Sequence, residues 1–171
     1  MGSFTYQDRE PSFGGIVPEG KICFRVLNDQ YTCDKVAPSS GNEYINLRME
    51  MVGQYNEVTG QWERKQGGKV FDKLVFSEKT MYQLDNFLSS AGKAPAVGTE
   101  ISLSARDVID WIVYAVVVHE TDESKPETDK FRTEADIVSY ITTKSEFHPS
   151  HTAVGAAPAP TVQAEKPAWE V

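Results

Sequence analysis

Only two cysteines, Cys23 and Cys33, occur in 171 residues. That is too few for a disulfide framework, and with no export signal free thiols are the expectation. Long apolar runs are lacking as well. The longest, IVYAVVV at 112–118, falls well short of the roughly 20 residues that a membrane helix requires, so no membrane contact is expected. The first residues do not follow the basic-then-apolar order of a signal peptide, which makes the cytoplasm the expected compartment. The Met1-Gly2 start suits N-myristoylation, but Tyr6 stands where that motif needs Ser or Thr.

Catalytic signatures are missing too. There is no phosphate-binding loop, nucleophile elbow, HExxH or dinucleotide fingerprint. The three histidines, His119, His148 and His151, share no zinc-ribbon spacing with Cys23 and Cys33. The acidic pairs Asp107/Asp110 and Asp122/Glu123 fit a helix start and a solvated loop. Neither an enzyme nor a metal or other cofactor is expected. A formal charge of -8 also excludes a uniformly basic nucleic-acid binder. The acid is concentrated late: residues 1–80 carry ten Lys/Arg against eleven Asp/Glu, and residues 81–171 seven against fourteen. Because charge is sensed over a Debye length of about 8–10 Å, the near-neutral first half can still present a local basic face.

What is present reads as a small β-rich domain. Residues 1–20, with Pro11, Gly14, Gly15, Pro18 and Gly20, form an irregular arm whose Phe4, Tyr6, Phe13 and Ile16 can pack on the body. KICFRVL at 21–27 alternates as a strand, Ile22, Phe24 and Val26 on one face and Cys23 and Arg25 on the other. Residues 28–42 are polar and turn-rich, a loop. EYINLRMEMV at 43–52 shows the cleanest alternation, with Ile45, Leu47, Met49 and Met51 facing the core. Residues 53–68 suit a long hairpin tip carrying Tyr55, Trp62, Arg64 and Lys65.

A strand at 69–76 then runs straight into a helix. Lys69, Phe71, Lys73 and Val75 share one face of this strand, and Val70, Asp72, Leu74 and Phe76 the other; neither face is cleanly apolar. In the helix, Met81, Leu84, Leu88 and Ala91 recur at helical spacing, with Ser77 as cap and Gly92 as stop. Ser104 to Asp107 resembles a capping box that opens a short helix through Trp111. The strand at 112–119 is apolar on both faces and therefore central. An acidic loop at 120–129 separates it from a last strand at 134–142. From Ser145 on, six Ala and four Pro in 27 residues predict a disordered tail. The expected organisation is an arm at 1–20, one domain at 21–144 and a flexible tail at 145–171.

One constellation points to chemistry. Arg25, Tyr44, Arg48, Trp62, Arg64, Lys65, Lys69, Phe71 and Lys73 all fall on the wet faces of the first three strands or on their hairpin tip. Single-stranded nucleic acid needs this mixture, cations for phosphates and rings on which bases stack at roughly 1–3 kcal/mol each. Exposed Lys and Arg are also ordinary on a soluble sheet, and Tyr44 or Phe71 could pack under the arm.

The successive segments PEGKICFRVLND, GNEYINLRMEMV, GGKVFDKLVFSEKTMYQLDNFLSSAG, SARDVIDWIVYAVVVHE and EADIVSYI, over residues 18–141, resemble a family of small bacteriophage proteins. Long carried as a domain of unknown function, the family is encoded beside recombination and replication genes and described as binding single-stranded DNA. The resemblance implies a mainly β fold, an oligonucleotide-binding (OB-like) antiparallel barrel of five strands with a helix between the third and fourth. It implies non-sequence-specific binding of single-stranded DNA in phage replication or recombination. Glu165, Trp169, Glu170 and Val171, after an Ala/Pro linker, resemble the acidic tails through which such proteins recruit replication or recombination partners. The alternative is a protein-interaction module that recruits or regulates such enzymes without touching DNA. Self-association as a homo-oligomer stays open.

Overall fold

The computed structural model describes residues 16–129 and 132–152. Strict alternation makes the longest strand. In β3 (Glu43–Asn56), Ile45, Leu47, Met49 and Met51 are all fully buried, as a period of two with one dry face requires. Around it pair β1 (Gly20–Val26), β2 (Cys33–Val36), β4 (Gln61–Arg64) and β5 (Lys69–Val75), all antiparallel, and β6 (Ile112–Thr121) and β7 (Thr133–Tyr140) continue from β1. The result is one curled antiparallel sheet of seven strands forming a half-barrel. Its main path is β2-β3-β1-β6-β7, with β4 and β5 sharing the second edge of β3.

Two short strands replace what the sequence reads as loop. β2 lies inside the polar 28–42 segment, where Lys35 pairs with Tyr44 and Cys33 with Asn46. β4 converts the expected hairpin tip into paired strand, Tyr55 opposite Trp62, closed by the turn at 57–60. Four-residue edge strands carry too few side chains to show a period, and their pairing depends on the partner strand.

A 3₁₀ turn (Glu78–Thr80) leads into α1 (Met81–Ser90), which lies under the sheet. Its buried stripe is Leu84, Phe87, Leu88 and Ala91. Met81 was expected in that stripe but stands at the first helical position and is 40% exposed; Phe87 takes the place and is fully buried. The helix stops as the glycine foretold. Gly92 adopts φ +71°, and the N–H groups of Lys93 and Gly92 bond back to the carbonyls of Leu88 and Ser89.

α2 (Ala105–Val108) opens with the expected box, Asp107 Oδ2 accepting from both N and Oγ of Ser104 at 2.9 Å. It is shorter than predicted, because Ile109 leaves the helical region at ψ 135°, and Asp110 then turns into the left-handed region at φ 65° and delivers Trp111 to β6.

β6 is central, as its two apolar faces require, lying between β1 and β7. The end of the arm is tied to it: Val17 is fully buried, and its carbonyl lies 2.7 Å from His119 Nε2. The boundary placed at residue 145 falls too early. After β7 the chain crosses back over the sheet, burying Ile141 and His148 before the short helix α3 (Pro149–Thr152). Low-complexity composition begins beyond this crossing, and the remainder of the predicted tail lies outside the described residues.

β5 and β7 stand at opposite ends of the sheet and meet through side chains. Tyr140 donates its hydroxyl to Asp72 Oδ2. Among the described residues no helix is long and apolar enough to cross a membrane.

Candidate functional site

The side of the sheet turned away from the main core carries a second set of aromatic residues, divided into a covered half and an open half. A β-bulge creates the division. Phe24 pairs with Met51 but Cys23 with Gly53, leaving Val52 as the extra residue. A bulge of one residue reverses the alternation. Met51, before the bulge, keeps its place in the core, while beyond it Tyr55 and, across from it, Trp62 gather on the other side with Cys23, Ile112 and Tyr114.

The crossing segment after β7 covers this half. Trp62 is 4% exposed, edge-on to Tyr55 and Tyr114, and its indole N–H donates to the Phe147 carbonyl at 2.8 Å. Trp62 was expected to stack bases at an exposed tip. Its ring faces are spent inside the protein, so it is removed from the candidate site.

His148 anchors the cover. Ser150 N–H donates to its Nδ1, leaving Nε2–H to donate to the buried Ser90 carbonyl at 2.9 Å. The neutral imidazole meets both bonds. Burial lowers its proton affinity below the usual histidine value, the bond to Ser90 opposes this and nearby His151 adds to it.

The open half lies over β3 and β5. In β5, Val70 and Leu74 are buried and Asp72 turns inward, so Phe71 and Lys73 turn outward. Phe71 sits opposite Arg48 and is 56% exposed. Edge-on to it, with centroids 5.9 Å apart at 87°, stands Tyr31, itself 45% exposed. The Arg48 guanidinium lies over both rings, 4.8 Å from Tyr31 and 5.6 Å from Phe71. One turn of the pleat away, Lys73 Nζ lies 5.2 Å from the Tyr44 ring. Beyond Tyr44 the face opens into a cleft of about 310 Å³ whose walls include Val36, Phe76 and Leu103.

Tyr31 is the residue that sequence reading passes over. It is an isolated aromatic in a polar loop, and only the Asp two positions before it, which forms a turn by accepting from the Tyr31 N–H at 2.9 Å, marks the spot as ordered.

The predicted cations are not equivalent. Arg25 is exposed but paired with Glu50 directly across the ladder, and Arg48 is paired with Asp29 at 3.2 Å. Lys69 pairs in register with Glu50 beside this row. Arg64, the last residue of β4, and Lys65 just after it are exposed. The structure thus gathers Tyr44, Arg48, Phe71 and Lys73, adds Tyr31, sets Arg25 and Lys69 alongside and leaves Arg64 and Lys65 at the end of β4. Trp169, Glu170 and Val171 lie outside the described residues. Among the described residues no three His, Cys, Asp or Glu side chains gather as a metal site.

No protein-family model and no curated protein matches the chain.

Proposed function

We propose that this protein binds single-stranded DNA, without strong sequence preference, on the open half of its outer face. The observation that carries this reading is the exposed Tyr31–Phe71 pair with the Arg48 guanidinium over both rings. A large aromatic pair left in solvent beside cations is what base stacking and phosphate neutralisation demand together. Phe71, Tyr31 and Tyr44 stack bases; Arg48 and Lys73 meet phosphates, with Lys69 and Arg25 extending the track.

The OB-like reading of the half-barrel is supported by its connectivity. Taking β1, β3, β5, β6 and β7 as strands one to five, the spatial order is three-two-one-four-five, with α1 between the third and fourth. Strands three and five approach at Asp72 and Tyr140, where such a barrel would close. OB-folds bind oligonucleotides on the face of strands two and three, beside the loop between strands one and two. Phe71, Arg48 and Tyr44 occupy those strands here, and Tyr31 occupies that loop. The resemblance to phage proteins suggests replication or recombination as the setting, and recruitment of partner enzymes as the role of the C-terminal residues.

Titrating a labelled oligo-dT of about 30 nucleotides, followed by anisotropy at several salt concentrations, tests the reading. Each phosphate contact on a single strand contributes about -0.7 to the log–log salt slope, so three to five contacts predict a slope of roughly -2 to -3.5. Duplex of the same length should bind more weakly, because paired bases cannot reach the rings. Absence of salt-dependent binding to the oligo-dT would refute the proposal.

A further inference from the structure

Arg48 already has an anionic partner. Asp29 Oδ2 lies 3.2 Å from its Nη1, while Asp29 Oδ1 accepts from the N–H groups of Tyr31 and Thr32 at 2.9 and 3.3 Å. One carboxylate therefore does two things with two oxygens: Oδ1 shapes the turn that presents Tyr31, and Oδ2 holds the guanidinium over the rings. The turn is docked on β3 at the same residue. Thr32 Oγ1 accepts from the Arg48 N–H at 3.2 Å, and the Leu27 N–H donates to the Arg48 carbonyl at 2.8 Å. Bonds to the backbone of Arg48 thus hold the loop in place independently of the ion pair.

One nitrogen of the guanidinium is left unsatisfied. Nε is shut off from solvent and has no hydrogen-bond partner among the described residues. The side chains of Arg48 and Asp29 are each a little over one quarter exposed, enough for an incoming anion to reach the pair. Guanidinium pairs with phosphate at least as well as with carboxylate, and partly exposed ion pairs are weak.

We infer that Asp29 is a built-in stand-in for a nucleotide phosphate: it occupies the Arg48 guanidinium in the free protein, and a backbone phosphate displaces Oδ2 when a strand binds. This rests on the proposed single-stranded DNA binding and adds a regulatory element to it. Asp29 is a positioning residue with a cost, ordering Tyr31 through Oδ1 while competing with the ligand through Oδ2.

The two roles separate by substitution. Asp29→Asn retains an oxygen for the Tyr31 and Thr32 N–H groups but places an NH₂ toward Arg48, which cannot accept its proton. It should bind oligo-dT roughly two- to fivefold more tightly than wild type at low salt, with a salt slope steeper by up to about 0.7, because in wild type the displaced Asp29 carboxylate takes up a cation that offsets the one released by the phosphate. Asp29→Ala releases Arg48 but also loosens Tyr31, and should bind less tightly than Asp29→Asn. The gain from Asp29→Asn should vanish on an Arg48→Ala background, whose own effect is a shallower slope.

Equal affinity and slope for Asp29→Asn and wild type would overturn the inference while leaving DNA binding intact. A gain that persists without Arg48 would also overturn it, since that is general charge removal. If wild type itself shows no salt-dependent binding, the DNA-binding reading falls and this inference with it. Urea melts of each variant separate a binding change from a loss of folded protein.

Discussion

Burial decides the role of each ring. Phe71 and Trp62 are both aromatic residues on the same side of the sheet, yet one is 56% and the other 4% exposed. The same truncation should therefore have opposite signatures. Phe71→Ala removes a stacking platform worth roughly 1–3 kcal/mol, so oligo-dT binding should weaken about five- to 150-fold with little change in the urea midpoint. Trp62→Ala empties a buried site and leaves the Phe147 carbonyl without its donor, which should cost about 3–5 kcal/mol of stability. Urea melts and anisotropy on both variants check the pair. Strong loss of binding in a fully folded Trp62→Ala protein would contradict the covered position of the indole. Tyr31 illustrates the limit of reading residue by residue: its presentation depends on a turn held by Asp29 and on Thr32 bonding to Arg48, 16 positions later.

Among elements, the segment crossing the sheet after β7 is the most consequential for the site, because it seals one aromatic cluster and so leaves the other as the exposed one. Its anchor is the neutral His148 ring between Ser90 and Ser150. Burial holds this imidazole below its ordinary value of 6.5, so the folded chain binds the proton less readily than the unfolded chain. The stabilisation is complete above pH 6.5 and is lost as pH falls through the lowered value. Acidification should therefore release the crossing segment, and with it the cover over Trp62, before the main core unfolds. Indole emission followed from pH 7.5 to pH 5 should shift to the red ahead of the far-ultraviolet circular dichroism. Coincident changes in the two signals would show that the cover and the core come apart together. By contrast, α1 keeps most of what its sequence says, since Leu84, Leu88 and Ala91 on one stripe and a glycine at the end are local features, with Phe87 buried in place of the expected Met81.

For the whole molecule, the two ends of the sheet are linked by the Tyr140–Asp72 bond. Burial, with Asp72 beside it, pushes the Tyr140 hydroxyl well above 10, so it remains the donor. Burial raises the Asp72 carboxyl above 3.8, against the bonds from Tyr140 and the Lys73 backbone and with added repulsion from Asp136. The native chain thus holds this proton more tightly than the unfolded chain. The associated stability is full below pH 3.8 and is lost as pH rises through the raised value. Asp72→Asn keeps an oxygen for Tyr140 and removes the titration. Its urea stability should lack this downward contribution above pH 3.8 and should equal or exceed wild type at neutral pH; a lower neutral-pH stability would mean that the charge itself holds the seam.

The sequence by itself determined the elements whose signals are local: the alternation of β3, the two apolar faces of β6, the stripe and stop of α1, the capping box of α2. It also brought Tyr44, Arg48, Phe71 and Lys73 into one candidate set, because period two on two neighbouring strands determines which side chains share a face. Tertiary structure decided the rest. The bulge at Val52 that turns Tyr55 and Trp62 outward, the crossing segment that covers them, the four-residue strands β2 and β4, and the placement of Tyr31 beside Phe71 all depend on partners distant in sequence. Whether an aromatic ring is a binding surface or a piece of core is set by what covers it, and here the cover arrives from residues 85 positions away.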